Sequence, residues 1–221
     1  MNFTVITLFP QIFEGFIKES IVGRAISKKI INLTFINPRD FAKDKYKSVD
    51  DKPYGGGAGM VMKVETTVAA IESQKPKPYT ILLSASGKKY TQKMAREFSK
   101  KKNIAIVCGH YEGIDARVEK FVDEVISVGD YVTTGGEVPA MAIIDSVTRL
   151  IPGSITENSL SQESFDDNLL EAPQYTRPEE FRGLKVPQVL LSGNHKQIED
   201  WRKKEAKLRT KKFRPDLSQN N

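Results

Sequence analysis

The sequence predicts an α/β protein built on a mostly parallel sheet. Short apolar runs alternate with longer polar stretches of helical pattern, and this alternation is typical of parallel strands linked by helices. The length of 221 residues and a hydrophobic content of 39% suffice for a substantial core. One cysteine and two histidines exclude a disulfide framework and a multi-cysteine zinc site, and they argue against a histidine-centred metal site.

Five strands and six helices are predicted in the first two thirds of the chain. The strands are short apolar runs, and we place them at 3–8, 31–36, 80–84, 104–108 and 124–128. The helices are the polar stretches between and beside these runs, and we place them at 11–19, 23–28, 64–72, 92–100, 115–121 and 139–150. Because strand and helix alternate, we expect the sheet to be covered on both faces.

The character of the sequence changes at about residues 154–171. This stretch contains five acidic residues, no basic ones and many small polar side chains, which is typical of a linker, although a long surface loop would have a similar composition. We therefore predict an α/β domain at 1–155, a flexible linker at 156–170 and a small, mainly helical domain at 171–221. Helices are predicted in the last part at 177–181 and 194–210.

The positive charge is concentrated near the C-terminal end. The net charge is +6, and residues 196–214 alone hold nine basic against three acidic side chains. Such a segment favours a polyanionic partner, although a solvated helix face would have the same composition. Ile198, Trp201, Glu205 and Leu208 share one stripe of the predicted helix, so we expect this stripe to dock while the basic side chains face phosphates.

Neither a secretory signal nor a membrane span is predicted. The apolar stretch 3–9 follows no basic residue and ends at Pro10, and no run approaches the ~20 apolar residues that cross a bilayer. We therefore expect a cytoplasmic protein with no membrane partner.

Glycine-bearing loops follow three of the predicted strands. They are ASGKK after 80–84, GHYEGID after 104–108 and GDYVTTGGE after 124–128. Ligands of α/β sheets bind beyond the carboxyl ends of parallel strands, so the three loops predict one shared pocket. The sequence contains no phosphate-loop motif and no dinucleotide fingerprint. We therefore expect a nucleotide-like ligand that is not bound through a phosphate loop. The separate glycine-rich segment 55–59 follows polar residues, and we interpret it as a mobile gate.

Seven segments of the chain carry a family resemblance. They are LFPQIF, PRDF, VDDKPYGGGAGM, VCGHYEGIDARV, SVGDYVTTGGEVPAMAIIDSVTRLIPG, APQYTRPEEF and VPQVLLSGNHKQIEDWR. Together they closely resemble the bacterial tRNA (guanine-N1-)-methyltransferases, in the same order and with similar spacing from Asn2 to about Pro215. That family methylates the guanosine on the 3′ side of the anticodon, at tRNA position 37.

The resemblance implies further properties that no composition or periodicity argument provides. It implies a parallel sheet with a deep trefoil knot, of the SPOUT methyltransferase type, followed by a small helical domain that helps to hold tRNA. It also implies a homodimer with the active site at the subunit interface, S-adenosyl-L-methionine as methyl donor, and Mg²⁺ as a second requirement to be tested.

The family motifs also imply which residues line the donor pocket. Carried over by motif, the expected donor-binding residues are Leu83, Ser84, Gly109, Tyr111, Glu112, Val128, Gly129, Asp130, Tyr131, Val132, Thr133, Gly135, Gly136 and Pro139.

The reaction itself needs a base and a cation. Guanine N1 carries a proton that must leave before N1 can attack, so a carboxylate is expected as general base. The family has an aspartate before Ser-Phe, where this chain has Glu163, and Asp166 and Asp167 are the alternatives. Arg149 matches the family arginine that is expected to stabilise the charge developing on O6 of the base.

Two other functions are compatible with parts of the sequence. A non-catalytic RNA-binding protein would explain the basic C-terminal segment but not the three strand-end loops. A knotted methyltransferase that acts on another RNA position would explain the loops, but the YTRP and LSGNH segments favour the tRNA position-37 family.

Overall fold

The computed structural model describes residues 1–155, 164–165 and 168–218. By its internal contacts the chain divides into two compact units, Met1–Ile155 and Thr156–Asn221. A separate linker at 156–170 stays a prediction, because most of its residues lie outside the described part.

The first unit contains the predicted parallel sheet. Its strands are β1 (Asn2–Ile6), β2 (Asn32–Ile36), β5 (Tyr79–Lys89), β6 (Asn103–Val107) and β7 (Glu124–Ser127), and they lie in the order β2-β1-β6-β5-β7. All four neighbouring pairs are parallel. The sheet therefore confirms the predicted α/β class and all five predicted strands, with bounds that differ by a few residues.

Helices link these strands. They are α1 (Glu14–Lys18), α2 (Ser20–Ser27), α3 (Val64–Glu72), α4 (Gln92–Ser99) and α5 (Glu137–Arg149). A short antiparallel pair, β3 (Asp50–Asp51) and β4 (Val61–Met62), flanks the glycine-rich segment and was not expected from the sequence. Two predicted helices are not regular α-helices over their whole length. The segment predicted at 11–19 consists of a 3₁₀ helix at Pro10–Phe13 followed by α1, and the segment predicted at 115–121 is a 3₁₀ helix at Ala116–Phe121.

Buried side chains form apolar clusters within this unit. The largest cluster joins strand residues such as Phe3 and Ile106 to Phe98 of α4 and Ile143 of α5. A second cluster joins Leu82, Val107 and other strand residues to α3 and the 3₁₀ helix at Ala116–Phe121. The strands are rich in apolar residues because helices cover both faces of the sheet.

The second unit contains a hairpin and three helices among its described residues. The hairpin pairs β8 (Glu180–Phe181) with β9 (Leu184–Lys185), and the helices are α6 (Gln188–Leu191), α7 (His195–Phe213) and α8 (Pro215–Ser218).

The helix predicted at 177–181 is wrong. Arg182 and Gly183 both have positive φ, 51° and 81°, and they form a two-residue turn between the paired Phe181 and Leu184. Two successive residues with positive φ match the right-handed twist of a tight hairpin, so this Arg-Gly pair favours β8 and β9 over a helix.

Candidate functional site

A cavity of about 290 Å³ lies at the carboxyl ends of β6 and β7 and beside residues 82–85 in the middle of β5. Thirteen of the fourteen residues predicted to bind the donor line it: Leu83, Ser84, Gly109, Tyr111, Glu112, Val128, Gly129, Tyr131, Val132, Thr133, Gly135, Gly136 and Pro139. Parallel strands end at the same edge of a sheet, so residues up to about fifty positions apart in sequence meet here. The structure thus places these side chains together; their role toward a ligand stays a prediction.

Asp130 is the predicted residue that does not line the cavity. Its carboxylate lies 3.2 Å from the Nζ of Lys89, and both side chains are mostly exposed. An exposed pair of this kind contributes little to stability, about 0–1 kcal/mol.

The loop after β5 differs from the simple turn predicted at ASGKK. Ile126 of β7 pairs with Leu83 and again with Lys88, and β5 continues to Lys89. Gly87 lies so close to the backbone of Ile126 that a Cβ there would clash with it. The two segments therefore approach each other so closely at this point that only glycine fits.

The loop after β6 forms a compact wall of the cavity. Gly113 N–H donates to the carbonyl of His110 at 3.2 Å, and Tyr111 between them has a φ of 60°. Gly136 N–H, at the start of α5, donates to the carbonyl of Gly109 at 2.8 Å, which fixes this loop against the loop after β7.

The loop after β7 is held by its own polar groups. Ser127 Oγ donates to the carbonyl of Gly129 at 3.1 Å, and Thr133 Oγ1 donates to the carbonyl of Gly135 at 2.8 Å. Tyr131 and Val132, between these contacts, are largely exposed. The backbone of the loop is therefore fixed while its apolar side chains remain accessible.

Ten further residues line the cavity that the sequence analysis did not name. Most of them lie between or beside predicted residues in the same loops, so a prediction that included every residue of each loop would have named them. Glu119 lies in the 3₁₀ helix at Ala116–Phe121, and no sequence motif indicated it. They are Leu82, Ala85, His110, Gly113, Ile114, Asp115, Glu119, Ile126, Ser127 and Thr134.

Carboxylates give the lining an acidic character. Glu112 and Glu119 join Asp115 there, and Asp115 accepts hydrogen bonds from the guanidinium of Arg117 at 2.6 and 2.9 Å. These hydrogen bonds lower the pKa of Asp115 below its ordinary value. A cavity that combines carboxylates with apolar side chains suits a positively charged organic ligand.

Neither a metal cluster nor a reactive thiol accompanies the cavity. Within the described ranges, no group of three or more histidine, cysteine or carboxylate side chains could hold a metal ion. Cys108, at the end of β6, is 1% exposed, and burial raises the pKa of its thiol well above the ordinary value. A neutral, buried thiol is a poor nucleophile, so covalent catalysis by Cys108 is not supported.

The glycine-rich segment 55–59 connects β3 to β4 beside the loop after β6. Gly55, Gly56, Gly57 and Gly59 have positive φ. Three backbone hydrogen bonds join β4 and its approach to that loop: Glu112 N–H to the Met60 carbonyl at 3.0 Å, Met62 N–H to the Gly113 carbonyl at 2.9 Å and Asp115 N–H to the Met62 carbonyl at 3.0 Å. The segment is thus anchored to the cavity wall at one end, while its role as a gate stays a prediction.

The predicted catalytic residues do not meet at this cavity in the part of the chain that the structure describes. Arg149 is the last residue of α5 and does not line the cavity, whereas Gly136 and Pro139, at the first turn of α5, do. At a rise of 1.5 Å per residue, Arg149 lies about 18 Å along the helix from Glu137. Glu163, Asp166 and Asp167 lie outside the described residues.

The basic segment forms α7 as predicted, but its inner face differs in part. Asn194 caps the helix by accepting a hydrogen bond from Gln197 N–H at 3.2 Å, and Ile198 and Trp201 are half-buried. The predicted stripe is wrong at Leu208, which is 51% exposed, whereas Thr210 is buried and accepts from Leu170 N–H at 2.8 Å.

The fold and the cavity define a class, an α/β protein with a parallel sheet and a cavity at one edge of that sheet. The family model of tRNA (guanine-1)-methyltransferase TrmD matches residues 1–220, and the chain belongs to this family. None of the described helices is both long and apolar enough to cross a bilayer.

Relatives cover almost the whole chain. It is 55% identical over 220 residues to the tRNA (guanine-N(1)-)-methyltransferase of Carboxydothermus hydrogenoformans, covering 98% of this chain and 87% of the relative. It is 52% identical to the proteins of the same name from Ruminiclostridium cellulolyticum and Clostridioides difficile, which it covers to 96% and 97% of their lengths. The predicted resemblance is confirmed, and membership of a methyltransferase family implies a methyl donor.

Proposed function

We propose that this protein transfers the methyl group of S-adenosyl-L-methionine to N1 of guanosine 37 in tRNA. Family membership supports the methyltransferase activity and a tRNA guanine as its target. The observation that carries the proposal is the cavity at the carboxyl ends of β6 and β7 and beside residues 82–85 of β5, with thirteen of the predicted donor-binding residues around it.

The chemistry of this cavity fits the proposed donor. Ile114, Val128 and Val132 provide apolar surface for the faces of an adenine ring, and the backbone of the glycine-bearing loops can reach its polar edge. Glu112 and Glu119 provide negative charge for a cation. When bound, S-adenosylmethionine supplies a reactive methyl group on a positively charged sulfur.

The protein must also activate the guanine. A carboxylate that removes the N1 proton contributes about 10²–10⁴-fold to the rate, and Glu163 is the proposed base, with Asp166 and Asp167 as alternatives. Arg149 is proposed to stabilise the negative charge that develops on O6.

A homodimer would bring Arg149 of one chain to the cavity of the other chain. Arg149 lies about 15 Å along α5 from Pro139, the last residue of this helix that lines the cavity, so a second copy of the chain is proposed to supply this arginine. A twofold dimer with a shared site meets that requirement. The trefoil knot that the family resemblance implies stays a prediction.

The remaining proposals concern the RNA and the setting of the reaction. The basic face of α7 supports a role for the C-terminal part in holding tRNA phosphates. A linker at 156–170, a requirement for Mg²⁺ and a cytoplasmic location stay predictions.

Methyl transfer to defined transcripts tests the proposal. The full chain is incubated with radiolabelled S-adenosylmethionine and a tRNA transcript with guanosine at position 37, and the same transcript with adenosine at that position is the control. Label is expected on the first transcript alone, as 1-methylguanosine. Label that persists on the control would show that another position is the target.

The Glu163→Gln variant tests the proposed base in the same assay. Gln keeps the size of the side chain but cannot accept the N1 proton, so we expect turnover to fall by about 10²-fold or more while donor affinity is retained. Asp166→Asn and Asp167→Asn are the matched controls. Near-normal turnover of Glu163→Gln would assign the base elsewhere, and the control with the larger loss would show where.

A further inference from the structure

A buried carboxylate lies behind the cavity and has no part in the function proposed above. Glu137, the first residue of α5, is 3% exposed. Its Oε1 accepts a hydrogen bond from Thr7 Oγ1 at 2.7 Å, and its Oε2 lies 3.5 Å from Nε2 of His110. A buried carboxylate is costly unless polar partners satisfy it, so these two contacts decide whether Glu137 is tolerated.

His110 connects this carboxylate to the cavity. It lies between Gly109 and Tyr111, and its side chain lines the cavity. The imidazole packs against the ring of Phe9, with centroids 4.6 Å apart, and against the ring of Tyr111 at 5.8 Å. Two aromatic contacts and one carboxylate therefore restrict the orientation of the ring.

The same group joins three separate parts of the chain. Thr7, just after β1, donates to Glu137 and also accepts from Phe9 N–H at 2.9 Å. A Cβ at Gly135 would clash with the Oε2 of Glu137 and lie 2.6 Å from Nε2 of His110, so the contact needs glycine there. The end of β1, the loop after β6 and the start of α5 thus meet at one carboxylate.

We infer that Glu137 is a positioning residue for methyl transfer. Its carboxylate faces Nε2 of His110 across 3.5 Å, and this contact sets the loop after β6 against the loop after β7 in the geometry that binds the methyl donor. The inference rests on the proposed function, because the donor site is the one proposed above.

The position of the imidazole proton on His110 tests this contact in the wild-type protein. The chain has two histidines, so the spectrum of ¹⁵N-histidine-labelled protein contains two imidazoles, and the His110→Gln variant assigns the signal of His195. We expect a proton on Nε2 of His110 in the wild-type protein. A His110 with a proton on Nδ1 alone would overturn the inference.

A matched pair of substitutions tests the effect of the contact between His110 and Glu137 on donor binding. Glu137 does not line the cavity, so its variants leave every cavity-lining side chain in place. Glu137→Gln keeps an oxygen that can face His110, whereas Glu137→Leu has similar bulk and no acceptor. We expect Glu137→Gln to bind S-adenosylmethionine within about threefold of wild type, and Glu137→Leu about tenfold or more weakly, because it leaves the polar groups of His110 and Thr7 without their partner. The KM for the donor should rise in Glu137→Leu while the KM for tRNA stays unchanged.

The outcomes separate this inference from the proposed function. Equal donor affinities in Glu137→Leu and Glu137→Gln, with both variants melting cooperatively like wild type, would overturn the positioning role alone. Wild-type protein that binds no S-adenosylmethionine in calorimetry would overturn the proposed function, and the histidine spectrum would still decide whether Glu137 holds Nε2–H.

Discussion

At the scale of single residues, the walls of the cavity depend on glycine, because a side chain at these positions would clash with the neighbouring backbone. A Cβ on Gly136 would lie 2.6 Å from Cα of Cys108 and 2.9 Å from the nitrogen of Gly109. This close approach accompanies the hydrogen bond between Gly136 and Gly109 that holds two walls of the cavity together. Gly15 in α1 is the opposite case, because a Cβ there would meet nothing within 4 Å.

We expect Gly136→Ala and Gly15→Ala to have opposite effects. Gly136→Ala should lower the free energy of unfolding by about 1–3 kcal/mol, because the backbone must shift to make room. Gly15→Ala should be neutral or raise it by up to about 1 kcal/mol, since alanine favours a helix. Urea denaturation measures both, and calorimetry with S-adenosylmethionine should show weaker binding in Gly136→Ala. A Gly136→Ala protein with unchanged stability and donor affinity would contradict the close packing of the two loops.

At the scale of elements, α7 separates a packing face from a basic face. Ile198, Trp201 and Thr210 lie on the less exposed side, whereas Lys204, Lys207 and Lys211 are exposed. Lys203 is also exposed, but it pairs with Glu199 at 2.7 Å, so part of its charge is compensated within the helix. Phosphate contacts are therefore expected from lysines other than Lys203.

Replacing Lys204, Lys207 and Lys211 together by Gln should weaken tRNA binding and reduce its salt dependence. If all three contact phosphates, the slope of log K against log salt should fall by about two to three. Donor binding should remain unchanged, because the cavity belongs to the other unit. Filter binding over a series of salt concentrations measures the slope.

The matched control removes the same charge elsewhere. Lys93, Lys100 and Lys102 are exposed, and they lie on α4 and before the amino end of β6, away from the cavity edge of the sheet. Their replacement by Gln should leave the salt slope unchanged. An equal loss in both triple variants would indicate that net charge, and not α7, determines tRNA affinity.

At the scale of the whole molecule, the separation of Arg149 from the cavity predicts that two chains share each active site. Arg149→Ala should abolish turnover, and Gly135→Val should do so by filling the space beside His110. Mixed dimers of the two variants would contain one complete site if Arg149 acts on the cavity of its partner. After unfolding and refolding of an equal mixture, we expect about a quarter of the wild-type activity, since half of the twofold dimers are mixed.

The two parent variants, refolded separately, are the controls. Light scattering of each preparation should give a dimer mass, which confirms that assembly is not the defect. An inactive mixture of correctly sized dimers would show that Arg149 acts on its own chain or not at all.

The sequence by itself determined the local structure and the loops of the site. Apolar runs and helical spacing depend on neighbouring residues, so β1, β2, β6 and α3 could be predicted, and glycine after three strands indicated the shared cavity. The family motifs then named thirteen residues that line this cavity, and their binding of a donor stays a prediction. The tight hairpin at 182–183 was missed, because an Arg-Gly pair with positive φ at both residues is a weak signal beside a helical pattern.

The tertiary structure decided which distant residues meet. Thr7, His110 and Glu137 are separated by up to 130 positions, and no periodicity relates them. Arg149 and Pro139 lie on one helix, yet its length places them at opposite ends relative to the cavity. Local patterns carry information over a few residues, whereas these contacts depend on the order and direction of strands in the sheet, which is why only the folded chain defines them.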